Sequence, residues 1–454
     1  MKWIFLALML ALIPAMAGWL RANQRHLPRV MMALGFMQFV IGLFHLTIAP
    51  ISWASWPGFA KGFELSLVDA VAVALILSAP PGKRTAHIRW PVLLYASVVL
   101  FSATQTSVPI PTLFYVWQLA RMALLITAVA VSCRDPRTPS ALVLGLIAGL
   151  SLQALISLKD HLGGVLQAAG SFGHQNLLGM LTHFVVFPSF ALLLASRARW
   201  MWVGPLAGIA VAILTASRAT IGLAAIGIVL LLGLSMMRRP TKRKTSVAIA
   251  GVIGLAIAAP LAAGTLGARF NEEPQQGGYD ERAAFERAAT AMLHDHPLGV
   301  GANHYVIVAN TQGYSDRAGV APVFGSRSAH VHNAYLLSAA EMGYLGTITF
   351  TIMMLWPVVV ALRSAWRFRR DPRGDMLLGL AVTLIIVALH CLYEWVFVTY
   401  NPQYMYGLTV GMIAGIAAQM GYWQPARPRR RIVATGTQDV DDVQDAAVPA
   451  VHKI

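Results

Sequence analysis

Apolar stretches of about 20 residues, separated by short polar joints, follow one another along most of the chain. A bilayer core of roughly 30 Å needs about 20 such residues in each helix that crosses it. Only 12% of the 454 residues are charged, against about 25% in ordinary soluble domains. The pattern therefore predicts an all-α, polytopic membrane bundle of about 12 helices. The predicted spans, twelve or thirteen in number, are 2–20, 30–50, 62–79, 89–107, 112–132, 139–158, 176–195, 201–217, 219–237, 246–266, 334–362, 376–398 and 403–422.

The excess basic residues are concentrated in the joints between these spans. The chain has 35 lysines and arginines against 19 acidic residues, a balance that in a soluble protein suggests nucleic acid. In a membrane protein, basic residues gather in cytoplasmic joints, where they set orientation and contact anionic lipids. We therefore expect membrane lipids, and not nucleic acid, as partners. The basic joints, which recur at every second position and predict a cytoplasmic C-terminal tail, are 83–89, 134–137, 197–199, 238–244, 363–373 and 427–431.

The orientation of the N-terminus stays open at this level. Residues 1–18 imitate a signal peptide, but the next apolar span follows closely, which favours a retained first helix. Arg21, Arg25 and Arg29 favour a cytoplasmic joint after that helix, and an outside N-terminus if all thirteen spans are real. If two spans merge or one is lost, the N-terminus would be cytoplasmic.

One joint on the opposite face is much longer than the others. It covers about 65 residues and offers room for an active site outside the membrane. Within it, the sequence YDERAAFERAATAMLHDHP predicts an amphipathic helix with Phe285 and Met292 on its apolar side. The chain accordingly divides into four parts: an N-terminal part of the bundle at 1–266, the large loop at 267–333, C-terminal spans at 334–422 and a polar, disordered cytoplasmic tail at 423–454.

The loop ends in a histidine and an asparagine at the start of the next span. Asn333 can cap the new helix through its side chain. His332 would then lie at the membrane surface, partly shielded from water, where an imidazole can accept a proton near neutral pH. A simply solvated loop histidine is the alternative reading.

Two arginines are predicted on the same side of the membrane as the large loop, whereas most basic residues of the chain are predicted on the cytoplasmic side. Arg218 joins two spans in the segment LTASRAT, and Arg282 lies in the loop. Guanidinium groups hold diphosphate bidentately, so the pair predicts an anionic, lipid-linked substrate. Contact with lipid head groups, or pairing with Glu286 or Asp280, remains the alternative.

A third polar segment, GSFGHQNLLG, opens the span at about 176. Gly170 and Gly173 allow a tight turn or a close approach, and His174 and Asn176 bring polar groups to the same surface. Ionisable residues inside predicted spans are costly in lipid and should pair within the bundle or line a cavity. They are Asp69, Arg121, His183, His390 and Glu394.

Other chemistries find little support in the sequence. His294, His296, His304, His330 and His332 crowd the loop, but no HExxH pattern or cysteine pair accompanies them, so a metal site is not predicted. A phosphate-binding loop is also missing, and the two cysteines cannot form a disulfide framework. We expect neither a metal nor another cofactor.

The motif that begins at His332 can be written H-N-x9-G-x-x-G-T, with glycines at Gly343 and Gly346. It resembles the signature of the bacterial O-antigen ligase family within the wider ligase/polymerase superfamily. HPLGVGANHY from His296, the SR of LTASRAT, the preceding Arg282 and the GxFxHxN of 170–176 are similar to that superfamily's pattern.

The resemblance implies a GT-C-like glycosyltransferase of the Gram-negative inner membrane with a periplasmic active site. Members move O-antigen polysaccharide from undecaprenyl diphosphate to a sugar of lipid A-core, without a metal or a nucleotide. Carried over, His332 would be the catalytic histidine, and Arg218 and Arg282 would bind the diphosphate. Supporting roles would fall to Asn333, His330, Asn176, His174 and Glu341.

Three alternatives stay open. An O-antigen polymerase and a protein O-oligosaccharyltransferase share the superfamily. The first tends to have two arginine-rich outer loops, and the second an extra periplasmic C-terminal portion. A transporter of lipid-linked glycans belongs to another class and would favour inverted repeats, which the sequence does not show.

Overall fold

The computed structural model describes residues 2–80, 88–196, 199–272 and 280–424, and 76% of these residues are helical. A two-stranded antiparallel hairpin, β1 (Thr47–Ile48) with β2 (Leu65–Ser66), interrupts the helices. The helices are α1 (Lys2–Ala22), α2 (Leu27–Val40), α3 (Leu67–Ser78), α4 (Trp90–Ser102), α5 (Ile110–Ser132), α6 (Thr138–Leu162), α7 (Gln175–Ala195), α8 (Val203–Leu214), α9 (Arg218–Arg238), α10 (Lys242–Glu272), α11 (Glu281–Asp295), α12 (Tyr305–Thr311), α13 (Tyr314–Arg317), α14 (Phe324–Arg327), α15 (Ala334–Arg367), α16 (Gly374–His390) and α17 (Tyr400–Gln419).

The predicted class, an all-α polytopic membrane protein, is confirmed. In the described part of the chain, six helices are long and apolar enough to cross a bilayer: α1, α5, α6, α7, α9 and α15. Shorter apolar helices accompany them, namely α3, α4, α8 and α16. The total of about 12 spans stays a prediction. The predicted tail at 423–454 lies almost entirely outside the described residues.

Two predicted spans run too far. The span predicted at 30–50 ends as α2 at Val40, and the chain then turns into the hairpin. The span predicted at 376–398 ends as α16 at His390, after which the backbone forms tight turns. After α16, Val396, Phe397 and Val398 are buried within the protein, and hydropathy alone does not distinguish a protein interior from lipid. Glu394 lies in the turn after α16 and not within that helix.

The first helix has a definite direction within the bundle. The guanidinium of Arg21 donates to the carbonyl of Leu77 at 3.0 and 2.6 Å. The carboxyl ends of α1 and α3 therefore lie at the same end of the bundle. The start of α1 points to the other end, where β1 also contacts it.

Two ionisable residues in predicted spans pair inside the bundle, as expected. Arg121 donates to Asp69 at 2.9 Å, and both side chains are buried. Glu64 approaches the same guanidinium at 3.4 Å, and the hydroxyl of Tyr404 donates to Asp69 at 2.7 Å. Satisfying both charges in this way offsets much of the cost of removing them from water.

The large loop contains the predicted amphipathic helix. It forms α11, whose buried face includes Phe285 and Met292, and it packs on α15. Asp280 caps its start by accepting the N–H groups of Arg282 and Ala283 at 3.0 and 3.2 Å. The cap satisfies two of the free donors at a helix N-terminus.

The motif glycine Gly343 breaks α15. Its backbone has φ 67° and ψ −164°, a conformation that is open only to glycine. The segment from Pro297 crosses α15 at this break, where Tyr344 N–H donates to the Pro297 carbonyl at 3.3 Å. A Cβ at Gly343 would lie 2.0 Å from that carbonyl oxygen. The glycine thus permits the large loop to be fastened across the helix that begins at the motif histidine.

Candidate functional site

The start of α15 fixes the position of the motif histidine. Asn333 is the N-cap of α15, and its side-chain oxygen accepts the N–H groups of Tyr335 and Leu336, both at 3.0 Å. The predicted cap is therefore confirmed. The next residue, Ala334, donates its N–H to the carbonyl of Cys391 at 2.8 Å. This bond joins the start of α15 to the end of α16 and brings His332 beside the turn that contains Glu394.

Glu394 is the centre of the site. Its side chain is 3% exposed, and it accepts hydrogen bonds from three other parts of the fold. Oε1 accepts Nδ2–H of Asn176 at 2.6 Å and a guanidinium N–H of Arg282 at 3.2 Å. Oε2 lies 3.3 Å from Nδ1 of His332. Three donors around one acceptor group suit a carboxylate, which can only accept.

The partners of this carboxylate face outward. The side chain of Arg282 is 53% exposed and that of His332 is 22% exposed. The ring of Phe285, one turn after Arg282 on α11, lies 6.0 Å from the imidazole of His332. A buried acid thus orients a half-exposed guanidinium and a partly shielded imidazole, and both remain accessible to a substrate.

The contact at Nδ1 determines what the imidazole can do. With the proton on Nδ1, His332 donates to Glu394 and its Nε2 carries a free lone pair. A carboxylate in this place orients the ring and stabilises the imidazolium that forms when Nε2 takes up a proton. The pair has the composition of a general base.

Asn176 reaches the site from the first turn of α7, a helix whose membrane-length part is 89% buried. The turn before it has φ of 56° at Gly170 and 69° at Gly173, as the predicted tight turn requires. A Cβ at Gly170 would lie 2.5 Å from the side-chain oxygen of Gln153. His174 follows, and burial lowers the pKa of its imidazole below the usual range, although the Glu394 carboxylate opposes that shift.

Arg218 is the first residue of α9 and is exposed. Its helix runs parallel to α7, because Gly179 lies against Thr220 and Phe187 lies against Gly227. This register puts Arg218 at the end of the bundle that carries Asn176. We call this end, with His332 and Glu394, the site end.

Two of the predicted supporting residues have packing roles. His330 is buried, and its ring stacks on Trp395 at 4.3 Å. Burial, together with the nearby charges of His332 and Lys61, lowers its pKa to about 3. Glu341 is also buried and accepts the N–H of Tyr305 at 2.9 Å, at the start of α12. Glu341 therefore helps to hold the large loop against α15 and is not part of the cluster around Glu394.

Metal ligands do not gather in the part of the chain that the structure describes. No three side chains from histidine, cysteine, aspartate and glutamate come together there as a group that could hold an ion.

Sequence reasoning missed the role of Glu394. His332 and Glu394 are 62 residues apart, and Asn176 and Glu394 are 218 apart. The one available signal was an acid in an apolar stretch, which indicates function in a membrane protein. Its partners could not be named without knowing that the starts of α7, α11 and α15 meet the end of α16.

These features define a helical membrane protein with a histidine, carboxylate and arginine site at one end of its bundle. Residues 184–351 match the family described as O-antigen ligase, which supports the resemblance seen in the sequence. The matched segment contains Arg218, Arg282 and His332, whereas Asn176 and Glu394 lie outside it. No curated protein matches the chain.

This match supports a coarse function. It is that of a glycosyltransferase-like, multi-pass membrane enzyme with a role in O-antigen processing.

Proposed function

We propose that the protein is an O-antigen ligase. It would move O-antigen polysaccharide from undecaprenyl diphosphate to a sugar hydroxyl of lipid A-core, on the periplasmic face of the bacterial inner membrane. The observation that carries the proposal is the convergence of His332, Arg282 and Asn176 on the buried Glu394. It joins a general base and a diphosphate-binding group in one constellation.

The base acts on the acceptor. Nε2 of His332 takes the proton of the acceptor hydroxyl, whose oxygen attacks the anomeric carbon of the donor sugar. The bond from that carbon to the diphosphate oxygen breaks, and its electron pair leaves with the diphosphate. Attack from the face opposite the leaving group inverts the anomeric configuration.

The arginines act on the donor. Arg282 uses one N–H on Glu394 and is otherwise half exposed, so the rest of its guanidinium is available to diphosphate oxygens. Arg218, exposed at the start of α9, would bind the same group. Fixed positive charges stabilise the charge that grows on the leaving diphosphate, which supports transfer without a metal or other cofactor.

The test is transfer by purified protein. Lipid-linked O-antigen and core lipopolysaccharide are incubated with the wild type and with His332→Ala, and the products are separated by size. We expect ligated lipopolysaccharide from the wild type and a rate about 10²- to 10⁴-fold lower from the variant. His294→Ala is the matched control, because His294 is an exposed loop histidine away from the cluster.

The products also distinguish the proposed ligase from the alternative functions. A longer lipid-linked glycan without ligation would indicate a polymerase, and glycan on serine or threonine of an added protein would indicate a protein oligosaccharyltransferase. Translocation of the donor without any transfer would indicate a transporter. Each of these results would overturn the proposal, and so would a His332→Ala variant with wild-type activity.

Arg218→Lys and Arg282→Lys examine the donor side. Lysine keeps the charge but loses the two-pronged geometry. Each variant should raise the KM for the lipid-linked donor while the KM for the acceptor stays constant. Unchanged donor KM values in both variants would contradict bidentate diphosphate binding.

A further inference from the structure

Residues 51–63 form a short hairpin arm between α2 and α3, outside the family segment. Phe63 N–H donates to the Ile51 carbonyl at 2.9 Å, and Trp53 N–H donates to the Lys61 carbonyl at 2.7 Å. Ser52 pairs with Gly62 between these bonds. Trp53 and Lys61 are therefore opposite each other, and in an antiparallel pair opposite side chains lie on the same face.

The tip of this arm is fastened to the large loop. The side chain of Asn303 accepts the N–H of Ala60 at 3.1 Å and donates to the Ala60 carbonyl at 2.7 Å. Trp56 donates its indole N–H to the Asn303 carbonyl at 2.9 Å. Asn303 is fully buried and has a positive φ of 68°, an uncommon conformation for a residue other than glycine. The arm is thus held in a fixed position.

The fastened arm borders the site. The ring of Phe59 lies 5.8 Å from that of His330, and His330 stacks on Trp395 at 4.3 Å. Trp395 is next to Glu394 in the chain, and His330 is two residues from His332. The charge of Lys61 is close enough to His330 to contribute to the lowered pKa of that imidazole.

Two exposed side chains on the arm suggest a ligand. The indole of Trp53 is 40% exposed and is supported by the ring of Trp56 at 5.1 Å. Lys61 is exposed, and no residue in the described part of the chain forms an ion pair with its ammonium group. An aromatic face packs on the apolar face of a sugar ring, and an ammonium binds phosphate as a point charge.

We infer that Trp53 and Lys61 form the acceptor-binding subsite and select a sugar that carries an anionic group such as phosphate. Arg282 and Arg218 come from α11 and α9, whereas the arm joins α2 and α3, so the donor and the acceptor bind to different parts of the fold. The subsite rests on the proposed function, because that function supplies the second substrate. Phospholipid head groups carry the same phosphate chemistry and are the competing occupant.

The experiment compares one acceptor in two forms: phosphorylated core lipopolysaccharide, and the same material after chemical removal of its phosphates. Transfer is measured in detergent. Lys61→Ala should raise the KM for the phosphorylated acceptor about fivefold and leave that for the dephosphorylated acceptor unchanged. Trp53→Ala should raise both about fivefold to tenfold. In all cases kcat and the donor KM should stay constant, since the lost interaction is one of binding.

Matched controls are Lys159→Ala and Phe324→Ala, which replace an exposed lysine on α6 and an exposed aromatic residue on α14. Neither should change an acceptor KM. Binding of the two acceptors to His332→Ala protein is measured as well. If the wild type transfers nothing but this binding depends on Lys61 and phosphate, the ligase function fails and the subsite holds.

Equal effects of Lys61→Ala on both acceptors would overturn the subsite, as would none at all. A lipid-anchoring role would also overturn it. That role would leave the detergent KM values unchanged and would weaken activity only in vesicles of phosphatidylglycerol, compared with phosphatidylcholine.

Discussion

The helix α16 has a buried carboxylate at each end, and the two carboxylates have different surroundings. Asp375, in its first turn, accepts hydrogen bonds from Nζ of Lys244 at 3.0 Å and from the hydroxyl of Ser235 at 2.8 Å, and it forms an ion pair with the guanidinium of Arg238 at 3.3 Å. We call this the basic end of the bundle. The side chains of its two cations are 2% and 0% exposed.

Glu394 follows the other end of α16 and accepts three hydrogen bonds. Its cationic partner Arg282 is 53% exposed, however, and its imidazole partner His332 is 22% exposed. At the basic end the charges satisfy one another and the backbone, since Arg238 also donates to the carbonyls of Arg369 and Asp371. Both ends have a buried carboxylate with a cationic partner. What distinguishes the candidate active site from the ion pairs that only stabilise the fold is that its partners are partly exposed.

The largest difference between the ends should appear on replacing Glu394 by glutamine. The amide removes the charge that stabilises imidazolium and presents N–H groups where the ring needs an acceptor. The transfer rate should fall about 10²-fold or more, whereas thermal stability in detergent should change little because the site is partly open. Full activity in Glu394→Gln would show that this carboxylate, like Asp375, has no part in catalysis.

The matched change at the basic end is Asp375→Asn. It leaves Lys244 and Arg238 buried without their counter-charge, and breaking a buried pair costs about 3–5 kcal/mol of folding free energy. We expect a lower midpoint of thermal unfolding and less folded protein, with transfer activity per folded molecule within about twofold of wild type. An active-site defect in folded Asp375→Asn protein would show that the two ends are coupled.

His330, the buried neighbour of His332, should make stability depend on pH. Its pKa is about 3 in the folded protein against 6.5 for the free side chain, so below pH 6.5 the unfolded chain binds a proton that the folded chain does not. Stability should therefore fall by up to about 1.4 kcal/mol per pH unit between pH 6.5 and 3. His330→Phe should reduce the slope of the unfolding midpoint against pH in that range. An identical slope would contradict a neutral, buried His330.

Much of the fold follows from local sequence. Helix positions come from runs of apolar residues, and the amphipathic α11 and the Asn333 cap come from spacing and residue type. One error arises at Val396–Val398, which are buried within the protein, because hydropathy alone does not distinguish a protein interior from lipid.

The sequence allowed most of the site residues to be named, but it did not show which of them contact one another. His332, Arg282 and Asn176 could be named because their charge or polarity stands out on one face of the bundle. Glu394 could not be assigned to them, since its three contacts depend on where four helices end. His330 and Glu341 were expected to support the chemistry, yet burial gives them packing and capping roles.

The central claim is that Glu394 acts through His332. The most direct test is a double-mutant cycle of transfer rates for the wild type, His332→Ala, Glu394→Gln and the double variant, made in folded, purified protein. Groups that act as a unit are strongly non-additive, so Glu394→Gln should cost at least about tenfold less in the His332→Ala background than in the wild type. Losses that simply multiply in the double variant would show that the two residues act independently and would contradict the account.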